Sequence, residues 1–119
     1  MSHTIIAAVD DMFFMSKIRA TAESLNVTMR FVRNVDTLFS VAGESRPALI
    51  IVDLHTEKLD PLELARRLKS DAELSTVPLL GFYSHVETEL RDQAQSAGFD
   101  QIMPRSAFSA DLAQILSPD

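Results

Sequence analysis

At 119 residues, 46% of them hydrophobic, the chain has the length and apolar content for one domain, residues 1–119, around a single core. Its formal net charge of −6 and pI near 4.9 exclude the basic field that a general binder of nucleic acid or of anionic membrane needs. There is no cysteine, which removes disulfide frameworks and thiolate metal sites, and the longest apolar run, Ala48 to Val52, is too short to span a bilayer.

Strand and helix patterns alternate from end to end. Thr4–Val9 is an apolar strand that stops at the acid pair Asp10–Asp11. From Met12 to Leu25 the period is helical, with Phe14, Ile18, Ala22 and Leu25 on one face. Val27–Val32 alternates Val27, Met29 and Phe31 inward, the pattern of a half-exposed strand. Asp36 is the expected cap of a helix that buries Leu38, Phe39, Val41 and Ala42. Ala48–Val52 then reads as a strand buried on both faces, ending on Asp53.

Asp60–Pro61 is a strong helix start, with aspartate as N-cap, proline at the first helical position and Glu63 three residues on. That helix runs to about Ser70 and is expected to bury Leu62, Ala65 and Leu68. Residues 77–84 form another buried strand. Glu87–Ala97 is helical with Leu90, Ala94 and Ala97 aligned, and Gly98 stops it. Gln101–Met103 is a short last strand and Phe108–Leu116 a last helix.

Such alternation predicts a parallel sheet covered by helices on both faces, with the ligand site outside the carboxyl ends of the strands. Asp10, Asp11 and Asp53 all sit at strand exits, so they converge if the first and third strands are neighbours. Each taken singly is a helix cap or turn former. Together they form a cluster that repels itself, and a divalent cation relieves it. Mg2+ suits oxygen donors and takes one or two carboxylates plus waters and phosphate oxygens. A carboxylate beside a metal is also a nucleophile towards phosphorus.

The stretches "AAVDDMFFMSKI", "LIIVDLHTEKLDPLEL", "VPLLGFYS" and "AGFDQIMPR" resemble, in order and spacing along the whole chain, the response-regulator receiver domain of bacterial two-component signalling. The resemblance implies a flavodoxin-like (βα)5 fold, a doubly wound parallel five-stranded sheet of order 2-1-3-4-5. It implies that Asp53 is the phosphoacceptor and that Asp10 and Asp11 are Mg2+ acids, with the backbone carbonyl of His55 as a further ligand beside Asp53. The implied phosphodonor is a histidine kinase or phosphotransfer protein. Since no effector domain follows residue 119, the output is expected to pass to an unidentified protein partner in the cytoplasm, without direct nucleic-acid or membrane contact.

The switch region departs from the family. Tyr83 stands where the family has a threonine or serine at the end of the fourth strand, with Ser84 beside it. Arg105 replaces the family's lysine and Ser106 its following proline; Ile102 replaces the aromatic switch residue. The proline and glycine that usually follow the phosphoacceptor are replaced by Glu57 and Pro61. Arg105 keeps the charge and either holds a phosphoryl group with two parallel donors or pairs with an acid of the cluster.

His3, His55 and His85 lack metal-ligand spacing, and Gly43, Gly81 and Gly98 form no phosphate-cradling loop. "MFFM" at 12–15 cannot bury all its side chains on one helix face. Met12 or Phe13 is therefore expected to be exposed beside the acids, as a lid or a docking spot. Two alternatives stand beside a phosphoaccepting receiver. One is a degenerate receiver that works without phosphorylation. The other is a small Mg2+ phosphohydrolase with Asp53 as nucleophile, although His55 stands where such enzymes carry a second aspartate.

Overall fold

The computed structural model describes residues 3–57, 59–84 and 88–117. In chain order the elements are β1 (Thr4–Ala8), α1 (Met12–Ser24), β2 (Thr28–Phe31), α2 (Val35–Ser45), β3 (Leu49–Asp53), α3 (Pro61–Ser70), β4 (Leu79–Tyr83), α4 (Thr88–Ala97), β5 (Gln101–Pro104), α5 (Arg105–Ala110) and α6 (Leu112–Leu116). The strands form one parallel sheet in the order β2-β1-β3-β4-β5. β1 pairs with β3 from Ile5 opposite Leu49 to Ala8 opposite Val52. The chain therefore leaves both central strands at the same edge, where Asp10, Asp11 and Asp53 lie.

Side chains alternate across a strand, so the buried central strands feed two cores. Ile6, Ala8, Ile50, Val52 and Leu79 pack with Leu38, Leu64, Leu68, Ala94 and Ala97 of α2, α3 and α4. Ile5, Ala7, Ile51, Leu80 and Phe82 pack with Phe14, Ile18, Phe108, Leu112 and Leu116 of α1, α5 and α6. In the second core three rings meet. Phe82 stacks on Phe108 at 4.8 Å between centroids, and Phe14 meets them at 5.2 and 5.5 Å.

Local chemistry explains most boundaries. Asp60 accepts from the Leu62 and Glu63 amides at 3.1 and 3.2 Å, capping α3 over Pro61 as its sequence requires. Leu64 rather than Leu62 completes that helix's buried stripe. Asn34, not Asp36, caps α2: its side chain accepts from the Thr37 amide at 2.7 Å, and Asp36 lies in the first turn, where a negative charge suits the helix dipole. Gly98 ends α4 at φ 120°, and a Cβ there would come within 2.6 Å of the Lys69 stem.

The last helical segment differs from the expected single helix. It begins at Arg105, directly after the extended Pro104, and breaks at Asp111 (φ −101°, ψ 14°) into α5 and α6. The spacing of Phe108, Leu112 and Leu116 keeps all three in the same core across the break. Glu87 and His85 lie outside the described residues. Among the described residues no helix is long and apolar enough to cross a membrane.

Candidate functional site at the carboxyl edge of the sheet

Asp53 closes β3 and is 8% exposed, the only buried charged side chain among the described residues. Burial pushes its pKa up. The nearby negative charge of Asp10 adds to this, while a hydrogen bond from the His55 amide at 2.9 Å and the charges of His55 and Arg105 act the other way. The loop after β3 turns back at once, so that His55 serves the residue two before it. Thr56, on the same loop, donates its hydroxyl to Asp10 Oδ2 at 2.6 Å.

Asp11 is engaged differently. It is the N-cap of α1, where Oδ1 accepts from the Phe14 amide at 3.1 Å. Its other oxygen accepts from Arg105 Nη2 at 2.8 Å. The Arg105 hydrogen bond, and after it the Phe14 amide, hold the Asp11 carboxyl below its ordinary range. The guanidinium itself lies 4.2 Å from the centroid of the Phe14 ring.

The edge thus brings Asp10 and Asp53 within reach of each other's charge and directs Asp11 to the helix cap and to Arg105. Among the described residues no three acidic or histidine side chains stand together as a ready metal cage. The donors still fit a hard divalent cation. Asp10, Asp53 and the His55 carbonyl would offer oxygen donors at this edge of the sheet, and Mg2+ needs only one or two carboxylates beside its waters.

Of the expected switch residues, Tyr83 ends β4 half-buried and packs against the α2–α4 core, as does Ile102 on β5. Ser84 lies just past β4 and is exposed. Met12 and Phe13, at the start of α1, are 75% and 91% exposed beside the acids. Two participants were not foreseen from sequence. Thr56 offers only a loop hydroxyl as its signal. Phe14 lies on the apolar stripe of α1 and is buried as that stripe predicts, yet its ring also seats the guanidinium.

No protein-family model matches the chain, and no curated relative does. Solved structures do. The phosphorylated cyanobacterial phytochrome response regulator RcpA is 21% identical over 98% of this chain and 89% of its own, with a TM-score of 0.81. The receiver domain of a sensor histidine kinase from Pseudomonas aeruginosa, with a magnesium ion coordinated in its active-site cleft, is 20% identical over 98% and 95%, at 0.82. A chemotaxis response regulator of Vibrio cholerae is 13% identical over 98% and 97%, also at 0.82. With its 2-1-3-4-5 parallel sheet and nearly full-length superposition, the chain has the flavodoxin-like fold of response-regulator receiver domains.

Proposed function

We propose that the protein is a receiver domain of two-component signalling that accepts a phosphoryl group on Asp53. The observation that carries this is Asp53 itself, a buried carboxylate at the exit of a central strand with another acid, Asp10, beside it. A fold gains nothing in stability from such a group, because burying a charge is costly unless it is fully paired. The donor is a phosphohistidine on a kinase or phosphotransfer protein. A carboxylate oxygen of Asp53 attacks phosphorus, the P–O bond forms as the P–N bond breaks, and the imidazole departs with the electron pair and takes up a proton.

The product adds about 1.5 to 2 negative charges beside Asp10. Asp10, Asp53 and the His55 carbonyl would hold Mg2+, which would supply positive charge to offset that of the added phosphoryl group. Arg105 is the protein's own cation for those oxygens, with Ser84 the candidate hydroxyl at the β4 end, while Tyr83 and Ile102 pack against the α2–α4 core. Met12 and Phe13 offer apolar contact to the phosphodonor where it approaches Asp53. Signalling then proceeds by protein contact in the cytoplasm, not by turnover of a substrate.

The test is incubation with Mg2+ and a small acyl phosphate, followed by intact mass measurement. A stoichiometric phosphoryl adduct, absent in Asp53→Asn, is the expected result. Sustained release of phosphate would instead identify a hydrolase. The absence of any adduct would support a receiver that works unphosphorylated. One observation favours that second reading: Arg105 is already paired with Asp11.

A further inference from the structure

Thr56 and Asp10 meet across two loops that their own backbones hold in place. The chain turns sharply after β3: the His55 amide donates to Asp53 Oδ1 at 2.9 Å, and the Thr56 amide donates to the Asp53 carbonyl at 3.1 Å. The turn is closed by backbone amides onto Asp53, so the Thr56 hydroxyl is spared for another partner. It reaches back to the exit of β1 and donates to Asp10 Oδ2 at 2.6 Å, joining residues 46 apart in the chain. That length is typical of a hydroxyl bonded to an ionised carboxylate. Threonine is stiff at χ1, which limits where the hydroxyl can turn. Asp10 is fixed from its own side as well, between the buried Val9 and Asp11, which caps α1. Among the described residues Asp10 has no ion pair, so a neutral hydroxyl sets the lie of its carboxylate.

We propose that Thr56 is a positioning residue that makes Asp10 a one-oxygen donor and thereby selects Mg2+ over Ca2+. The inference rests on the receiver reading above, with Asp10 among the oxygen donors, and deepens it. Oδ2 is engaged by Thr56, and Oδ1 is the oxygen left for a cation. Mg2+ demands an octahedral set and keeps several waters, so one oxygen per carboxylate suits it. Ca2+ takes a larger and looser set, in which a carboxylate often gives both oxygens. For Asp10 to give both, the bond from Thr56 must break. That cost falls on the larger ion alone. An oriented ligand also loses less freedom when the metal arrives, so Mg2+ gains from the same bond.

The experiment is titration of the wild type, Thr56→Val, Thr56→Ser and Thr28→Val with Mg2+ and with Ca2+, read by calorimetry. Valine keeps the shape and neutrality of threonine and removes the hydroxyl; serine keeps the hydroxyl. Thr28, exposed on β2, controls for the loss of a hydroxyl elsewhere. In Thr56→Val the Mg2+ affinity should fall about ten-fold, the usual effect of losing a residue that orients a metal ligand. Ca2+ affinity should hold or rise, so the preference for Mg2+ falls at least as far. Thr56→Ser and Thr28→Val should keep the preference. In the wild type the Thr56 hydroxyl proton should stay protected from exchange at saturating Mg2+ and exchange faster with Ca2+. That readout needs no variant to fold.

An unchanged preference in Thr56→Val overturns the proposal. So does equal weakening of both ions, which would make Thr56 a structural residue only. A preference lost in Thr56→Ser or in Thr28→Val overturns it too, as does a Thr56 hydroxyl that exchanges freely once Mg2+ is bound. Absence of Mg2+ binding to the wild type at tens of millimolar has the same consequence. The phosphoryl adduct on Asp53 is scored separately by mass. Adduct with no change in preference removes the role of Thr56 and keeps the receiver; a changed preference without adduct does the reverse.

Discussion

Asp100 and Asp11 each accept a hydrogen bond from a cation at 2.8 Å, Lys69 in one case and Arg105 in the other. At the Lys69 corner everything closes. Burial alone would raise the Asp100 pKa, but hydrogen bonds from Lys69 and from the Leu79 amide outweigh it and hold the carboxyl below its ordinary value. Lys69 also donates to the Ser75 and Val77 carbonyls at 3.3 Å, and its stem fills the space left by Gly98. One acid meets one cation, and backbone groups use the remaining bonds.

The edge at Asp53 is built the other way. Arg105 serves Asp11, while Asp10 and Asp53 form no ion pair among the described residues. The burial of Asp53 works against its charge instead of being repaid. A corner that only stabilises neutralises its charges one for one; an edge that leaves negative charge in excess is prepared for a cation or for chemistry.

The largest effect should come from breaking the closed corner. Gly98→Ala forces a side chain into φ 120° and into the Lys69 stem, and should cost about 3 kcal/mol in urea unfolding. A loss under about 0.5 kcal/mol would mean the corner is looser than its contacts imply. Next, Asp100→Ala leaves the Leu79 amide without its carboxylate and should cost about 1–2 kcal/mol at neutral pH. The Asp100 carboxyl is held below its ordinary value of 3.8, so its contribution is present above that value and is lost as pH falls through the lower folded value. Wild type and Asp100→Ala should therefore converge in strong acid.

At the open edge the sign reverses. Asp53 holds its proton more tightly folded than unfolded, so its contribution favours folding below the ordinary 3.8 and is lost as pH rises through the raised folded value. At pH 7 the ionised carboxylate is a burden that an amide removes. Asp53→Asn should raise metal-free stability by about 1 kcal/mol, and the gain should shrink as pH falls towards 4. A gain that persists unchanged in acid would place its origin in packing rather than charge.

Sequence carried the parts of this contrast that are local. The apolar run into Asp53, the Asp60–Pro61 cap and the Gly98 stop are each written within a few residues. The strand order also follows, through the resemblance to receiver domains. Where two capping residues stand side by side, as Asn34 and Asp36 do, the pattern could not choose; the extended backbone at Asn34 decides it. The pairings across the fold were beyond local rules, since Lys69 and Asp100 are 31 residues apart and Arg105 and Asp11 are 94 apart. Pairing of Arg105 with an acid was one of two open readings. Which acid depends on where Phe14 offers its ring, and only tertiary packing fixes that.

The smallest effect is expected where the site should report its state. In a phosphorylated site a hydroxyl at the end of β4 would draw that strand inward, but here the position is Tyr83, whose side chain is packed with the α2–α4 core. Ile102 joins the same cluster and has no polar end to turn between solvent and core. A signal needs two states that differ in affinity for the phosphoryl group, and these two side chains offer little to distinguish them. Arg105 is the cation at this edge, and it starts α5 without belonging to the apolar clusters. Adding beryllofluoride and Mg2+, a phosphoryl mimic, should therefore shift amide NMR signals near Asp10, Asp11, Asp53 and Arg105 and leave the rest nearly still. Large shifts spread through α4, β5 and α6 would sink this expectation. They would mean that the β4 end moves despite Tyr83, with Ser84 rotating in to bind the phosphoryl oxygen. The open edge would then be wired to the closed corner through α4, and Lys69–Asp100 would be part of the signal instead of its fixed frame.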